Sequence, residues 1–338
     1  MTEHAVGRLL VTGAPGWFSD AALRSLTRDP LPGLTRLRCL VRSDEPVDDD
    51  AIRARLGADV EIVRGNLLDA RSLARAVEGA DTILHAAAIM HVRKIDEYYA
   101  VNTEGTRRLA RVSVEAGVKR FVYLSSNAAA GKSDHANRLV RETDTDKPLS
   151  HYARSKWLGE RWLFETPGSM SRTVLRSCMF YGPPVPPRHV EVYRRIVSGR
   201  MPLVGGGDYA RSLTHIDNLV QGARLALSKA AADGQVYNIA DSEPYTTKTV
   251  VEAMARALGV TPRYLPLPAL AARVAYEADW LLATFGMYQK ELHLVGEATW
   301  NVGVSIDKAR RELGYSPTMA IDEGMQGAVE WCRERGLL

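Results

Sequence analysis

A tyrosine and a lysine stand four residues apart in the segment His151-Tyr152-Ala153-Arg154-Ser155-Lys156. On a helix this spacing places Tyr152 and Lys156 on one face, one turn apart. A neighbouring ammonium favours the phenolate, so we expect Lys156 to lower the pKa of Tyr152. A phenol that exchanges its proton readily can act as a general acid or base at a carbonyl or alcohol oxygen. Because this pair can also arise by chance, the prediction depends on the motifs that precede it.

A glycine-containing turn near the N-terminus has the setting of a dinucleotide-binding site. The apolar run from Arg8 to Thr12 predicts a buried strand, and helical character begins at Ala21 after the turn Gly13-Ala14-Pro15-Gly16-Trp17-Phe18-Ser19. The first glycine allows a tight turn, and the second lets the backbone approach a pyrophosphate at the helix N-terminus. Ser19, a small residue, replaces the third glycine of the usual pattern. The predicted cofactor contacts in this turn are Gly13, Gly16, Trp17 and Phe18.

The end of the second predicted strand, Leu37 to Val41, bears on the choice of cofactor. An NAD-selective site places a carboxylate at this point to bind the ribose 2′-hydroxyl. This chain has Arg42 followed by Ser43 instead. A guanidinium suits a 2′-phosphate, so the sequence favours NADP(H) over NAD(H).

Strands alternate with helices throughout the first half of the chain, which predicts an α/β fold with a doubly wound parallel sheet, the Rossmann arrangement. Ligands of such sheets bind at the carboxyl ends of the strands. The further cofactor contacts predicted at these ends are Asn66, Leu67, Ala86, Ala87 and Ala88. The family resemblance described below adds Asn102, Ser125, Tyr152 and Lys156 to the predicted cofactor contacts.

Prolines and glycines interrupt the pattern after the sixth predicted strand, Thr173 to Ser177, and predict an excursion into a second lobe. We expect residues 1–180 and about 212–245 to form the dinucleotide-binding domain. Residues of about 181–211 and 246–338 would form a smaller, mostly helical substrate lobe. Five aromatic residues could line its pocket or belong to the core: Trp162, Tyr181, Tyr193, Trp280 and Tyr288.

The composition of the 338 residues is that of an ordinary globular protein, with 46% hydrophobic and 25% charged residues. A net charge of +4 without a run of basic residues argues against a nucleic-acid partner. The three separated cysteines indicate reduced thiols and a cytoplasmic location, and no signal peptide or metal-binding motif is visible. Charges within the apolar segment Leu265 to Tyr288 argue against a spanning helix, although an amphipathic helix could cover a pocket or touch a membrane surface.

Four motifs occur in a characteristic order: Thr12-Gly13-x-x-Gly16, Asn102-Thr103-x-Gly105-Thr106, Ser125-Ser126 after a strand, and Tyr152-x-x-x-Lys156. In this combination the chain resembles the extended short-chain dehydrogenase/reductase superfamily, of the NAD-dependent epimerase/dehydratase type, over almost its whole length. The resemblance implies that Ser126 hydrogen-bonds the substrate oxygen and that Tyr152 exchanges the proton. It also implies that Lys156 holds the nicotinamide ribose and lowers the tyrosine pKa.

The second half looks most like the 3β-hydroxysteroid dehydrogenase and related reductase branch. The segments that carry this likeness are Ser212 to Leu219, Tyr237 to Asp241 and Leu313 to Pro317. The apolar segment Leu265 to Tyr288 lies where that branch covers a lipophilic substrate. Relatives often dimerise through the helices that hold Asn102 and Tyr152, which implies a homodimer.

The nucleotide-sugar epimerase branch is the rival. Arg211 stands where such enzymes place a diphosphate-binding arginine, and a guanidinium suits phosphate. Against this interpretation, the segment Leu175 to Phe180 lacks the asparagine that the epimerase branch uses to contact the sugar nucleotide. Asn127-Ala128 after Ser126 likewise lacks the acid pair of the dehydratases.

The sequence therefore predicts an NADP(H)-dependent oxidoreductase that acts on a carbonyl or secondary alcohol of a lipophilic small molecule, sterol-like or β-keto. The catalytic residues would be Ser126, Tyr152 and Lys156, and the substrate contacts Ser126, Asn127, Tyr181 and Arg211. A nucleotide-sugar epimerase or ketoreductase is the first alternative. A non-catalytic dinucleotide-binding protein is the second, but such proteins usually lose the tyrosine–lysine pair.

Overall fold

The protein's structure, a computed structural model, describes residues 4–57, 59–90, 92–135 and 138–338. Its centre is a sheet of seven parallel strands: β1 (Gly7–Ala14), β2 (Leu34–Arg42), β3 (Val60–Gly65), β4 (Thr82–His85), β5 (Arg120–Ser126), β6 (Ser171–Ser177) and β11 (Val236–Ile239). The strand order is β11-β6-β5-β4-β1-β2-β3. The chain order reverses between β1 and β4, so the crevice of a doubly wound sheet lies there. The predicted parallel α/β sheet is confirmed.

The middle strands are apolar along their whole length because helices cover both faces of the sheet. Leu9, Leu10 and Val11 of β1 are all almost fully buried. One face is covered by α1 (Trp17–Arg28) and α8 (Ile216–Ser228), and α2 (Asp49–Leu56) packs beside α1. The other face is covered by α3 (Ala70–Val77), α5 (Thr106–Glu115) and α6 (His151–Glu165).

The helical segment between β4 and β5 is not uniform. It begins as the short helix α4 (Asp96–Tyr98), widens into a π-helical stretch over Tyr99–Gly105, and continues as α5. The side-chain hydroxyl of Thr106, the first residue of α5, donates to the backbone oxygen of Asn102 at 2.7 Å. A π-helical turn holds an extra residue and re-aims the side chains around it.

A second group of elements packs beside the sheet around its own apolar cluster, which includes Val190, Tyr193, Met254 and Met325. Two helices, α10 (Ala269–Thr284) and α11 (Lys290–Gly296), pack against each other, and α12 (Asp307–Leu313) packs against β11 and α8. The helices around the second apolar cluster are α7 (Pro187–Val197), α9 (Thr247–Leu258) and α13 (Ile321–Arg333). The short strands of this second group pair as β7 (Met179–Tyr181) with β10 (Leu213–His215), β8 (Met201–Val204) with β13 (Tyr264–Leu267), and β9 (Ala210–Arg211) with β12 (Tyr245–Thr246). The exact domain boundaries stay a prediction.

The apolar segment Leu265 to Tyr288 differs in part from an amphipathic helix. Its first residues belong to β13, and α10 starts only at Ala269. Pro266 and Pro268 explain this late start, because proline lacks the N–H of a helix interior and disfavours helical backbone in the residue before it. No helix in the described part of the chain has both the length and the apolar character needed to cross a membrane.

Candidate active site

The catalytic candidates meet where β5 ends and α6 begins. Ser126 is the last residue of β5, and Tyr152 and Lys156 lie in the first two turns of α6. Ser150 caps this helix, because its hydroxyl accepts a hydrogen bond from the N–H of Ala153 at 3.2 Å. The predicted spacing therefore places Tyr152 and Lys156 on one helix, one turn apart, beside the end of β5.

Ser126, at the end of β5, lies close enough to Tyr152 to act on its phenol, as a shared substrate-oxygen site requires. Burial raises the pKa of Tyr152 to about 12, and Ser126 and the charge of Arg188 oppose this rise. At neutral pH the phenol therefore carries its proton. This is the state in which it can donate to a carbonyl oxygen.

Lys156 is buried, and its ammonium donates to the backbone oxygen of Leu124 at 2.8 Å. The same nitrogen lies 4.2 Å from the ring centroid of Tyr123. Burial lowers the pKa of Lys156 to about 7, and the carboxylate of Glu160 opposes this fall. The effect of Lys156 on the pKa of Tyr152 therefore stays a prediction. The ammonium is engaged by β5, and Arg188 is the cation that acts on the phenol.

The side chain of Ser125 has a structural contact, so its predicted cofactor contact stays a prediction for the backbone alone. It is buried, and its hydroxyl donates to Oε1 of Glu160 at 2.5 Å. Adjacent residues of a strand point to opposite faces, so Ser126 and Ser125 cannot both face the crevice. Glu160 also pairs with Arg176 of β6, with 2.6 Å between Oε2 and Nη2. This buried group fixes α6 to the strands that carry the catalytic serine.

Asn102 supports the crevice indirectly, because both polar atoms of its side chain are hydrogen-bonded within the protein. Its Oδ1 accepts from the N–H of Ile89 at 2.9 Å. Its Nδ2 donates to the oxygen of Ile89 at 3.0 Å and to the hydroxyl of Ser155 at 3.1 Å. The predicted direct cofactor contact is replaced by a structural one, in which Asn102 joins the loop after β4 to α6.

The glycine turn has the shape of a dinucleotide cradle. Gly13 has φ +93°, and a Cβ there would lie 2.9 Å from the backbone nitrogen of Ala87. A Cβ on Gly16 would overlap the carbonyl oxygen of Gly13. Ser19 fits the third position, since its hydroxyl donates to the oxygen of Thr12 at 3.2 Å. The residues present therefore fit a pyrophosphate held by backbone N–H groups at the start of α1.

The loop after β4 lies directly against this turn. The hydroxyl of Thr12 accepts from the N–H groups of Ala86 and Ala87 at 3.2 and 3.1 Å. Ala86 and Ala87 are thus half-buried beside the turn and Ala88 is exposed, so all three remain predicted cofactor contacts. Phe18 is buried in the core, which leaves only its backbone for a cofactor.

His85 was missed by sequence reasoning and connects two walls of the crevice. Its Nδ1 lies 2.7 Å from the hydroxyl of Thr12, and its Nε2 lies 2.9 Å from the hydroxyl of Thr106. Burial and the neighbouring Lys156 lower the pKa of His85 to about 3, so the imidazole is neutral. A histidine within an apolar strand gives no sequence signal that distinguishes this link from ordinary core packing.

Arg42, Asn66 and Leu67 are the residues predicted to contact the adenosine part of the cofactor. Some of these side chains are exposed, and others already make contacts within the protein. Arg42 is 63% exposed at the end of β2, with its Nε 3.3 Å from Asp44 Oδ1. Asn66 Oδ1 accepts from the N–H of Leu68 at 2.9 Å and shapes the turn after β3. Leu67 is buried, and a Cβ added to Gly105 would meet its Cβ at 3.0 Å. Of these, Arg42 is the side chain most accessible to a ligand.

Two of the predicted substrate residues have mainly structural contacts. Tyr181 is buried, and its hydroxyl donates to Asp241 Oδ2 at 2.9 Å. The prediction that Tyr181 binds substrate therefore does not fit its position in the second apolar cluster. Asn127 donates to the oxygen of Val302 at 3.3 Å, which ties the end of β5 to the C-terminal part of the chain.

Arg211 is the predicted substrate residue whose hydrogen bonding is incomplete. Its Nη2 donates to the backbone oxygen of Glu297 at 3.3 Å, but its Nε is buried without a partner among the described residues. Burial lowers the pKa of Arg211, and the carboxylate of Glu297 opposes this. A buried donor without an acceptor is unfavourable, so the position suits a ligand that supplies one.

Aromatic side chains from distant segments surround Tyr152. The ring of Tyr98 lies edge-on to Tyr152 at 5.8 Å and to Tyr288 at 6.1 Å between centroids. The pocket at this place is lined by these three residues together with Ile95, Leu149, Ser150, His151, Tyr276, Asp279, Trp280, Ala283, Met287 and His293. Trp280 and Tyr288 are thus pocket residues, whereas Tyr193 is buried in the core and Trp162 is partly exposed on α6.

Comparison with known proteins agrees with this geometry. Residues 9–240 match the family model described as NAD dependent epimerase/dehydratase family. The chain is 33% identical to uncharacterized protein y4nL of Sinorhizobium fredii over 97% of the chain and 96% of that protein. It is 28% identical to a 3-beta-hydroxysteroid dehydrogenase of Mycolicibacterium neoaurum, over 95% and 90% respectively. The dTDP-glucose 4,6-dehydratase DesIV of Streptomyces venezuelae, solved with NAD bound, superposes with a TM-score of 0.79 at 26% identity, over 97% and 98%. The chain therefore belongs to the NAD dependent epimerase/dehydratase family, and it is an enzyme of the extended short-chain dehydrogenase/reductase type.

Proposed function

We propose that this enzyme is an NADP(H)-dependent oxidoreductase that acts on a carbonyl or secondary-alcohol carbon. The observation that carries the proposal is the placement of Ser126, Tyr152 and Lys156 together at the carboxyl edge of the sheet, where β5 ends and α6 begins. When bound, the nicotinamide supplies or accepts a hydride. Ser126, Tyr152 and Lys156 then each have a separate role in the reaction.

Ser126 and Tyr152 donate hydrogen bonds to the oxygen of a bound carbonyl. During reduction, Tyr152 transfers its proton to the developing alkoxide, and its high pKa keeps that proton available at neutral pH. Lys156 holds the end of β5 through Leu124, and its role in this proposal is also to bind the nicotinamide ribose. In the oxidative direction the same tyrosine receives the proton.

The aromatic side chains around Tyr152 favour a lipophilic substrate of the sterol-like or β-keto class, which would have to widen the space they line, since that space measures only about 40 Å³. Tyr98, Trp280 and Tyr288 offer apolar ring surface around the catalytic tyrosine. The relative from Mycolicibacterium neoaurum is a steroid dehydrogenase, which favours the same class. The exposed Arg42 supports NADP(H), because it can reach a ribose 2′-phosphate.

Arg211 favours the second candidate function, epimerisation of a nucleotide sugar. Its buried Nε has no acceptor among the described residues, and a diphosphate would supply one. An epimerase retains its cofactor through the cycle, whereas a dehydrogenase releases it. Tightly held NAD in the purified protein would therefore favour this alternative.

The test is a screen of NADPH and NADH oxidation with sterol, β-keto-acyl and nucleotide-sugar carbonyls. The Tyr152→Phe variant should lose turnover while it retains cofactor binding. Tyr99→Phe is the matched control, because the hydroxyl of Tyr99 contacts His151 at 2.8 Å rather than the serine–tyrosine pair. Full activity of Tyr152→Phe would remove the mechanism.

The homodimer, the cytoplasmic location and the peripheral membrane contact also stay proposals. The face of α5 and α6 that carries Arg107 stacked at 5.1 Å on the half-exposed Trp162 offers surface for a second copy.

The three cysteines are separate buried thiols, in keeping with a reducing compartment. Leu270, Trp280 and Phe285 are 60–73% exposed on and after α10, as a membrane-surface contact would require. Sedimentation alone and with lipid vesicles tests the homodimer and the membrane contact.

A further inference from the structure

Trp17 connects the glycine turn to the second lobe. It directly follows Gly16 and is the first residue of α1. Its ring lies 4.9 Å from the ring of Phe180 and 5.2 Å from that of His189, measured between centroids. The guanidinium carbon of Arg188 lies 5.8 Å from the same ring. The first turn of α7 therefore lies next to the start of α1.

Arg188 carries a charge that the protein itself does not neutralise. The side chain is half-buried and makes no ion pair with a carboxylate in the described ranges. His189 beside it cannot compensate, because burial and Arg188 lower the pKa of His189 to about 4. The other group that responds to its charge is the phenol of Tyr152. A partly desolvated guanidinium is costly unless an anion accompanies it.

The start of α1 next to Arg188 also lacks an acceptor. Gly16 is the N-cap and provides no side chain, so the first N–H groups of the helix receive no side-chain cap. The indole N–H of Trp17 is buried without an acceptor among the residues described. Unpaired donors from α1 and an unpaired cation from α7 thus face one small region.

We propose that Arg188 binds the pyrophosphate of the dinucleotide cofactor from the side opposite to the Gly13–Gly16 turn. This inference rests on the proposed function only in that the enzyme must bind NADP(H) or NAD(H). The pyrophosphate carries two negative charges, which pair with the guanidinium on one side and with the helix N–H groups on the other. Arg188 thereby joins the second lobe to the bound cofactor. Because NADH and NADPH share the pyrophosphate, Arg188 contributes equally to both, unlike Arg42.

The experiment measures the dissociation constants of NADPH, NADH and ADP-ribose by titration calorimetry for the parent protein, Arg188→Gln and Arg188→Lys. ADP-ribose keeps the pyrophosphate but lacks the nicotinamide. Arg195→Gln is the control on the same helix, because Arg195 is exposed and pairs with Glu191 at 3.3 Å. Arg188→Gln should weaken all three ligands about 10- to 100-fold, the range for one charged hydrogen bond, and Arg188→Lys should weaken them less. Melting temperatures of the variants check folding, and removal of Arg188 leaves no described carboxylate unpaired.

Two results would overturn the inference. If Arg188→Gln binds ADP-ribose within twofold of the parent while the KM of a carbonyl substrate rises, Arg188 binds an anion of the substrate instead. If neither the dissociation constant of ADP-ribose nor the KM of the carbonyl substrate changes in Arg188→Gln, Arg188 binds neither the cofactor nor the substrate. If the parent protein itself binds none of the three probes, the proposed function is contradicted as well. This result differs from parent binding that the Arg188 variants leave unchanged, so the two failures can be told apart.

Discussion

The ammonium of Lys156 donates to the backbone oxygen of Leu124 at 2.8 Å, two residues before Ser126. The lysine thus binds the second turn of α6 to the end of β5, against the ring of Tyr123. This contact positions Ser126 relative to Tyr152. It also buries a charge, because Lys156 is only 1% exposed. Burial of this ammonium costs folding stability, and the cost can be measured.

Lys156→Met should lower turnover by about 10²-fold or more and should not lower stability at pH 6. The pKa of Lys156 is lowered to about 7 in the folded protein, below the value of about 10.4 for an exposed lysine. The cost of burying the charge is fully present below pH 7 and is relieved as the pH rises from 7 to about 10.4. The stability advantage of the variant should narrow over that window by at most about 1.4 kcal/mol per pH unit.

Urea unfolding at pH 6, 8 and 10 measures this difference. Lys248→Met is the control, because Lys248 is exposed on α9. A stability difference between Lys156→Met and the parent that stays constant across the three pH values would contradict the assignment of a lowered pKa to Lys156.

Arg176→Met should destabilise the protein by about 3–5 kcal/mol. Arg176 is 2% exposed and lies 2.6 Å from Glu160 and 2.8 Å from Asp146, so its removal leaves two carboxylates without their cation. Glu160→Gln should cost less, because the contact between Arg176 and Asp146 survives. The double variant should lose less than the sum of the two single losses, by about 0.5–3 kcal/mol. Urea unfolding of the four proteins gives this coupling, and strictly additive losses would show that the pair does not act as a unit.

Arg42→Ala should weaken NADPH binding by about 10-fold and leave NADH binding within twofold. The guanidinium is exposed and is held only by Asp44 at 3.3 Å and Glu45 at 4.0 Å, so a 2′-phosphate can replace these acids as its partner. Arg36→Ala is the control, since Arg36 lies at the other end of β2 and pairs with Glu61. Fluorescence titration with both cofactors makes the comparison. Equal weakening of NADH and NADPH would mean that Arg42 does not select between them.

Features encoded by neighbouring residues could be predicted from the sequence. The positive φ of Gly13 and the one-turn separation of Tyr152 and Lys156 follow from local chemistry, and the structure contains both. The alternation of side chains along β5 likewise follows from local geometry, and it makes Ser125 face away from Ser126. Local patterns could not show where the Lys156 ammonium points, because its partner Leu124 lies 32 residues earlier in the chain.

Contacts between distant segments were beyond sequence reasoning. Arg188 approaches Trp17 only because α7 packs against the start of α1. Tyr98 meets Tyr288 across 190 residues to form the aromatic wall. No periodicity marks such residues, since each is compatible with an ordinary core position.

The link between α10 and the segment after α11 should depend on pH through His293. Its Nδ1 lies 2.9 Å from Asp279 Oδ2, and its Nε2 lies 3.3 Å from Glu297 Oε1. These two carboxylates raise the pKa of His293 against the effect of burial, while Arg211 faces Glu297 from the other side. A raised folded-state pKa means that the stabilisation is complete below the unfolded value of about 6.5 and is lost as the pH rises through the folded value.

In the parent protein we therefore expect hydrogen exchange in residues 284–296 to accelerate as the pH rises above about 6.5, beyond the intrinsic pH dependence, with a loss of about 1 kcal/mol of local stability. His293→Gln should show the faster exchange already at pH 6 and no further pH-dependent change. His4→Gln is the control, because His4 is exposed near the N-terminus. Since Tyr288 and His293 both line the pocket at Tyr152, the KM of a carbonyl substrate should rise over the same pH range in the parent and stay level in His293→Gln. Parallel pH profiles in the two proteins would show that His293 does not hold this wall of the pocket in place.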